Sequence, residues 1–292
     1  MRFSACLIVT LLALIPTVII DAVSANEPSK LTDIRYATVD EIELKLDLYR
    51  PVATTKPKLI VWVHGGAWRA GSKKDMPLQK LIDSGFAVAS VDYRLSTQAP
   101  FPAQVHDIKA AIRFLRAKQT EYDYDASRII IAGASAGAHL ATLVGVTNGH
   151  RELEGRVGDC LNHSSDIHAI VSYYGMSNLT TILSQSTPHG LKVRVPALQL
   201  LLGGQPDEQF DLARQASPVF HVDENDPPLL LIHGDQDPQA PINQSHELQG
   251  SYDASQRSCR FVVVHGGKHG GPEFYDSERL THVRTFLNEH FK

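Results

Sequence analysis

The segment Arg128-Ile-Ile-Ile-Ala-Gly-Ala-Ser-Ala-Gly-Ala-His139 decides the fold, because a buried-strand pattern in it runs directly into a serine between two glycines. Three consecutive isoleucines are typical of a strand, and the helix-prone run His-Leu-Ala-Thr-Leu-Val follows. A strand that turns sharply into a helix around an exposed serine is the G-x-S-x-G nucleophile elbow. A small-residue turn without catalytic meaning fits the same pattern, so the interpretation depends on partners for Ser135.

The composition is that of a globular protein with a sizeable core. Of the 292 residues, 43% are hydrophobic and 21% are charged, which suits one large domain or two small ones. The formal net charge of −4 provides no basic surface field. Nucleic acid is therefore not expected as a partner.

Residues 1–25 predict a secretory signal peptide. A positive charge at Arg2 precedes an apolar run over 5–20, and Val23-Ser24-Ala25 fits a small-x-small cleavage site. A membrane anchor is the alternative, but the apolar run is slightly short for a span. We therefore expect a mature chain from about Asn26, secreted or periplasmic, without a stable membrane anchor.

Two cysteines, Cys160 and Cys259, belong to this mature chain. In an oxidising compartment they could form a disulfide, or they could stay independent, half-buried thiols, and the sequence leaves both open. Two scattered cysteines do not make a metal site. No other motif requires a metal, nucleotide or other cofactor, so none is expected.

Apolar runs alternate with helical patterns along the rest of the chain. Residues 41–49 alternate polar and apolar, as a half-buried antiparallel strand does, whereas 58–63 and 86–91 are continuously apolar. Amphipathic patterns such as 102–118 and 278–291 lie between or after such strands. This order predicts the α/β class, with a mostly parallel central sheet and helices on both faces.

We expect residues 26–292 to form a single domain. The segment 176–228 is too long for a connection without structure of its own. It contains the run Leu198-Gln-Leu-Leu-Leu202, followed by two glycines. We therefore predict a small helical insertion here, after the sixth strand.

Partners for Ser135 occur in two loops that each follow a buried strand. A serine hydroxyl needs a base to take its proton, and the base needs a carboxylate to orient it, in the chain order Ser, Asp, His on such a sheet. Asp237 is preferred to Asp235, which is nearer the strand end and could cap the turn. His269, on a glycine-flanked loop tip, is preferred to His265, which ends its strand.

A turn after an earlier strand offers donors for an oxyanion. In Val-His-Gly-Gly-Ala-Trp, small residues follow the strand end at His64 and leave their backbone amides free to face a ligand. An ordinary glycine turn is the alternative. Beside a nucleophile elbow, we predict an oxyanion hole formed by the amides of Gly66, Ala67 and Ala136, the last directly after the nucleophile.

Together these motifs resemble the α/β-hydrolase esterases of the hormone-sensitive-lipase and feruloyl/acetyl-xylan esterase type. The motifs are His64-Gly-Gly-Ala-Trp68, Gly133-Ala-Ser-Ala-Gly137, His233-Gly-Asp-Gln-Asp-Pro238 and Gly267-Lys-His-Gly270. The likeness runs from about Leu46 to the C terminus. It is specific for fold and hydrolase class but not for substrate, because this fold serves many chemistries.

The resemblance implies an α/β-hydrolase fold and a serine carboxylesterase. Ser135 would be the nucleophile, His269 the base and Asp237 the residue that orients the base. Ala67 departs from the glycine common in lipase-like relatives; its amide survives, but its Cβ slightly narrows the acyl site.

The expected substrate is a short-chain acyl or aromatic ester, either small or linked to polysaccharide as acetyl or feruloyl groups are. Export and an open site favour the polymer, because the residues before the first strand are too few for the helical cap of lipase-like relatives. A serine peptidase or lactonase of the same fold is an alternative. A non-catalytic binding protein is another, although such proteins typically lose the histidine, and His269 is present.

Overall fold

The computed structural model describes residues 29–52 and 55–291, in which one central sheet organises the chain. Its strands are β1 (Ser29–Val39), β2 (Ile42–Arg50), β3 (Lys58–Val63), β4 (Ala87–Val91), β5 (Asp125–Ala134), β6 (Ala169–Tyr173), β7 (Leu229–Gly234) and β8 (Cys259–Val264). Their spatial order is β1-β2-β4-β3-β5-β6-β7-β8. β2 pairs antiparallel with both β1 and β4, and every other pair is parallel. The predicted mostly parallel sheet is therefore confirmed.

Helices cover both faces of this sheet. They are α1 (Gln79–Ile82), α2 (Ala103–Ala117), α3 (Ala136–Gly145), α4 (Arg151–Glu154), α5 (Ile182–Gln185), α6 (Pro188–Leu202), α7 (Phe210–Gln215), α8 (Asn243–Ala254) and α9 (Ser277–His290). Successive strand residues point to opposite faces. In β3, Leu59, Val61 and Val63 join a hydrophobic cluster with α2 and α3, whereas Ile60 and Trp62 join a second cluster with α1 and α9. Burial on both faces explains the continuous apolar runs.

The strand β1 lies outside the sequence prediction, in which the first strand is 41–49. Most side chains of β1 are exposed or half-buried. Its register against β2 shifts between Leu31 and Ile34 and again between Arg35 and Ala37. Such irregularities interrupt the two-residue period of a strand, so the alternation that identifies β2 is missing here. With β1 counted, the segment 176–228 follows the sixth strand.

The segment 176–228 contains α5, α6, α7 and a short 3₁₀ turn at Pro218–Phe220. α6 begins where the Thr187 side chain accepts a hydrogen bond of 3.0 Å from the amide of Gly190. It ends at Gly203, whose φ of 75° is left-handed. Leu198 and Leu201 bury its inner face in the larger hydrophobic cluster. These contacts anchor the helix in that cluster.

The predicted signal peptide, 1–25, lies outside the described residues. Within the described ranges, no helix combines the length and hydrophobicity that a membrane crossing requires. Cys160 and Cys259 are separate, half-buried thiols, which resolves the pairing that the sequence left open. Burial raises the pKa of Cys259 to about 12, so this thiol is unreactive at neutral pH.

Candidate active site

Ser135 occupies the turn between β5 and α3. Its backbone has φ 53° and ψ −120°, a region that a residue with a side chain rarely adopts. Two hydrogen bonds hold it there: its amide donates to the Tyr173 carbonyl at 2.9 Å, and its carbonyl accepts from the His139 amide at 3.0 Å. The strained turn projects the serine hydroxyl beyond the carboxyl end of the sheet.

The two glycines of the elbow are required by close backbone contact. A Cβ at Gly133 would clash with the carbonyl oxygen of Gly137. A Cβ at Gly137 would clash with the carbonyl oxygens of Val63 and His64, at the end of β3. The first turn of α3 therefore lies directly against β3 and β5. This packing explains why glycine is needed at both 133 and 137, on either side of Ser135.

The structure brings together the three residues that the sequence selected as nucleophile, base and acid. Ser135 Oγ lies 2.7 Å from Nε2 of His269, and Nδ1 of His269 lies 2.6 Å from Oδ2 of Asp237. The serine hydroxyl can donate its proton to Nε2 while Nδ1–H donates to the carboxylate, which is the hydrogen-bond order of a catalytic triad.

Asp237 is fixed on every side within its loop. Its Oδ1 accepts hydrogen bonds from the amides of Gln239 and Ala240, at 2.8 and 2.9 Å. Nε2 of the buried His233 lies 3.3 Å from Oδ2. His233 is itself held, with Nδ1 2.7 Å from Ser245 Oγ and Nε2 2.9 Å from the Ala240 carbonyl. This support holds the carboxylate toward His269.

Both alternatives from the sequence lie outside this arrangement. Oδ2 of Asp235 lies 2.9 Å from Nδ1 of His265, and Oδ1 accepts a hydrogen bond from the Gly266 amide. The His265 side chain is 86% exposed. Asp235 and His265 therefore pair with each other at the surface.

Burial and hydrogen bonding set the charges of the acid and the base. Burial alone would raise the pKa of Asp237, but hydrogen bonds from His233 and His269 outweigh it and hold the pKa well below its ordinary value of 3.8. Burial lowers the pKa of His269 below 6.5, although Asp237 acts in the opposite direction. At neutral pH the carboxylate is charged and the imidazole is free to accept a proton.

The predicted oxyanion turn leaves β3 beside the elbow. Gly66 has φ 106° and Ala67 has φ 52°, and the Gly66 carbonyl accepts from the amides of Arg69 and Ala70. The hydrogen bonds found within 29–52 and 55–291 do not use the amides of Gly66, Ala67 or Ala136 as donors. Gly66 and Ala67 also line the cleft, whereas Ala136 is fully buried directly behind Ser135.

His139 is fully buried and packs beneath the site. Nε1–H of Trp68 donates to its Nδ1 at 3.1 Å, so its Nε2–H donates to the Ala216 carbonyl at 2.7 Å. Burial lowers the pKa of His139 to about 4, which keeps the ring neutral. The network ties the oxyanion turn, through Trp68, to the helix that begins at the nucleophile.

A cleft of about 660 Å³ opens over Ser135 and His269. The oxyanion turn forms one side, and Val193 and Arg194 of α6 form another. Tyr174 and Tyr275 also line the cleft, and the Tyr174 ring packs against His269. The 176–228 segment therefore shapes a wall of the substrate site.

Sequence reasoning missed several residues of the cleft, among them Tyr174 and Arg194. The Tyr174 ring packs edge-on against His269, with centroids 5.1 Å apart, and its hydroxyl lies 2.9 Å from that of Tyr275. Arg194 is fully buried beside the loop that carries Asp237 (the acid loop). Neither belongs to a motif; a helical position in a predicted insertion was the only signal for Arg194.

No group of three or more metal-binding side chains of the His, Cys, Asp or Glu type lies close together in the described part of the chain.

Residues 46–252 match the BD-FAE family profile. The chain belongs to the BD-FAE family. This BD-FAE chain is also similar to esterase LipC of Mycobacterium tuberculosis (strain ATCC 25618 / H37Rv), with 29% identity over 231 residues, 77% of this chain and 56% of LipC. It spans about half the length of the curated relatives it matches.

Solved structures place this BD-FAE chain among α/β-hydrolase esterases. A truncated form of a carbohydrate esterase from gut microbiota has a TM-score of 0.83 and 33% identity, covering 91% of this chain and 98% of that one. A bifunctional GH43-CE protein of Bacteroides eggerthii has a TM-score of 0.82 and 34% identity, covering 92% of this chain and 36% of that one. The predicted fold and the predicted esterase resemblance are confirmed.

Proposed function

We propose that this chain is a secreted serine carboxylesterase that hydrolyses short-chain acyl or aromatic esters through an acyl-enzyme. The single observation that carries the proposal is the continuous hydrogen-bond chain from Ser135 through His269 to Asp237, facing a cleft beside free backbone amides. Membership of the BD-FAE family supports the same reaction class.

In the first half of the reaction, His269 Nε2 takes the proton of Ser135 as Oγ attacks the ester carbonyl carbon. Negative charge moves to the carbonyl oxygen, where the amides of Gly66, Ala67 and Ala136 donate to it. One such donor is worth roughly 3–4 kcal/mol in another serine hydrolase. The imidazolium then protonates the departing alcohol oxygen, while Asp237 stabilises its positive charge.

In the second half, His269 removes a proton from water, whose oxygen attacks the acyl carbon bound to Ser135. Collapse of the second tetrahedral intermediate releases the carboxylic acid and returns the proton to Oγ. The buried hydrogen bonds of Asp237 keep the imidazole in one orientation through both halves.

Acetyl or feruloyl groups on polysaccharide are the substrates that we propose. The names of two structural relatives support a carbohydrate ester, at 33% and 34% identity. The aromatic lining of the cleft, including Tyr174 and Tyr275, suits a sugar or phenolic ring. The signal-peptide pattern of residues 1–25 supports export to where such polymers occur.

An active-site titration separates the esterase from a non-catalytic binding protein. An organophosphate that phosphorylates only activated serines should label wild type stoichiometrically at Ser135 and fail to label Ser135→Ala. Turnover is then compared on acetylated xylan, methyl ferulate, a γ-lactone and a peptide p-nitroanilide. Labelling with turnover only of the lactone or the anilide would refute the carboxylesterase in favour of those alternatives.

A further inference from the structure

Arg194 carries a buried charge that the proposed mechanism does not use. Its side chain lines the cleft on α6 and is 1% exposed. Nε donates to the Gln239 carbonyl at 3.2 Å, and Nη1 is buried without a partner. A buried polar group is normally hydrogen-bonded, so the guanidinium of this cleft-lining residue keeps a donor that no protein group of the described residues uses.

No carboxylate within 29–52 and 55–291 forms an ion pair with Arg194. Asp237 attracts it, but the oxygens of Asp237 already serve two histidines and two amides. Arg69 lies near enough for its like charge to lower the pKa of Arg194 further, after burial, to about 10. The side chain is thus charged at neutral pH, and an unpaired buried charge is strongly unfavourable.

The guanidinium lies between the two loops that serve the nucleophile. Gln239, which accepts from Arg194 Nε, donates its own amide to Asp237 Oδ1 at 2.8 Å. On the other side, the guanidinium carbon lies 5.8 Å from the ring centroid of Trp68, which follows Ala67 in the oxyanion turn. Arg194 and Ser135 line the same cleft, so a ligand group bound by Arg194 would share that cleft with the ester under attack.

We propose that Arg194 is a specificity-determining residue that binds a carboxylate carried by the ester substrate, an inference that rests on the proposed esterase function. A guanidinium presents a planar fork of donors that matches the two oxygens of a carboxylate. The substrate class is an ester with an acidic group beside the scissile bond, as in an acylated uronic acid of an acidic polysaccharide.

A purely structural role, in which Arg194 ties α6 to the acid loop through Gln239, makes different predictions. Arg194→Met keeps the length of the side chain and removes the unpaired charge. A tether predicts a lower melting temperature for this variant, with equal losses on all substrates. A binding site predicts an equal or higher melting temperature, because replacing an uncompensated buried charge by an apolar chain is often stabilising.

The test compares matched anionic and neutral esters with wild type, Arg194→Met and Lys192→Met. Lys192 is an exposed cation on the same helix, so its variant controls for overall charge. In the first arm, p-nitrophenyl hemisuccinate, which carries the carboxylate on its acyl side, is compared with neutral p-nitrophenyl butyrate. In the second arm, O-acetyl glucuronate, which carries the carboxylate on its alcohol side, is compared with neutral O-acetyl glucose.

We expect wild type and Lys192→Met to prefer the anionic ester in one arm. Arg194→Met should reduce that preference about 10- to 100-fold, chiefly through KM, as expected for loss of a charged hydrogen bond. If wild type hydrolyses the esters but prefers the anionic ester in neither comparison, Arg194 does not bind a substrate carboxylate. The proposed esterase function is unaffected by that result. Absence of turnover on every ester, with no organophosphate labelling, overturns the esterase as well.

Discussion

The carboxylate of Asp235 lies 2.9 Å from Nδ1 of His265, so the two residues that compete in sequence for the roles of acid and base bind each other. Asp237 and His269, two and four residues further along their loops, form the corresponding pair at 2.6 Å, in contact with Ser135. The Asp235–His265 and Asp237–His269 pairs thus have similar geometry, and the second of them faces the nucleophile. The surface pair provides matched controls for the buried one.

Removing a member of the buried pair should abolish most ester hydrolysis. We expect His269→Ala to lower kcat by roughly 10⁶ and Asp237→Asn by roughly 10⁴, the losses seen in related triads. His265→Ala and Asp235→Asn should stay within about threefold of wild type, because surface substitutions change little. Initial rates on p-nitrophenyl acetate measure this. A greater loss in the surface variants than in the buried ones would reverse our assignment of base and acid.

The acid limb of the pH profile should lie below pH 6.5. Burial lowers the pKa of His269 from that ordinary value, and only the neutral ring accepts the Ser135 proton, so activity is lost as the pH falls through the lowered pKa. The profile of kcat/KM between pH 4 and 9 reports this group in the free enzyme. A limb centred above pH 6.5 would mean that Asp237 raises the pKa of His269 more than burial lowers it.

The elbow glycines should be intolerant of even a methyl group. Gly137→Ala places a Cβ against the Val63 and His64 carbonyl oxygens, and we expect a loss of several kcal/mol in the free energy of unfolding or failure to fold. Gly250, in α8 with open space around it, is the matched control. Gly250→Ala should raise stability by about 0.5–1 kcal/mol. Urea unfolding followed by circular dichroism measures both, and equal stability of Gly137→Ala and wild type would contradict the packing argument.

Short acyl groups should be preferred. Each methylene that becomes buried contributes about 0.8 kcal/mol, or roughly fourfold in kcat/KM. We expect this gain to end beyond about four carbons, where further methylenes stay in water. The series of p-nitrophenyl esters from acetate to decanoate measures the dependence. A steady rise through octanoate would indicate a deep acyl channel and a lipase-like enzyme.

The protein isolated from its natural source should begin near Asn26. Cleavage after the small residues Val23-Ser24-Ala25 removes the apolar run that precedes them. Intact-mass spectrometry of the exported fraction gives the start of the chain directly. Recovery of a chain that begins at Met1 in a membrane fraction would favour the anchor.

Much of the site followed from local sequence because of a property of parallel sheets. Ser135, Asp237 and His269 each come directly after a buried strand, and the carboxyl ends of parallel strands meet at one edge of the sheet. β5, β6, β7 and β8 lie side by side, so residues more than a hundred positions apart were expected to be neighbours. The first strand escaped prediction because its irregular register hides the two-residue period.

The sequence by itself determined the class of fold, the elbow and the identity of the groups that can react, because apolar periodicity and glycine spacing record local backbone geometry. Only the tertiary structure decided that Asp237 faces His269 while Asp235 faces His265, since one loop offers both carboxylates at almost the same position. It alone placed Arg194 at the cleft and Tyr174 against the base. A helix pattern states which residues share a face; what that face meets depends on how distant elements pack.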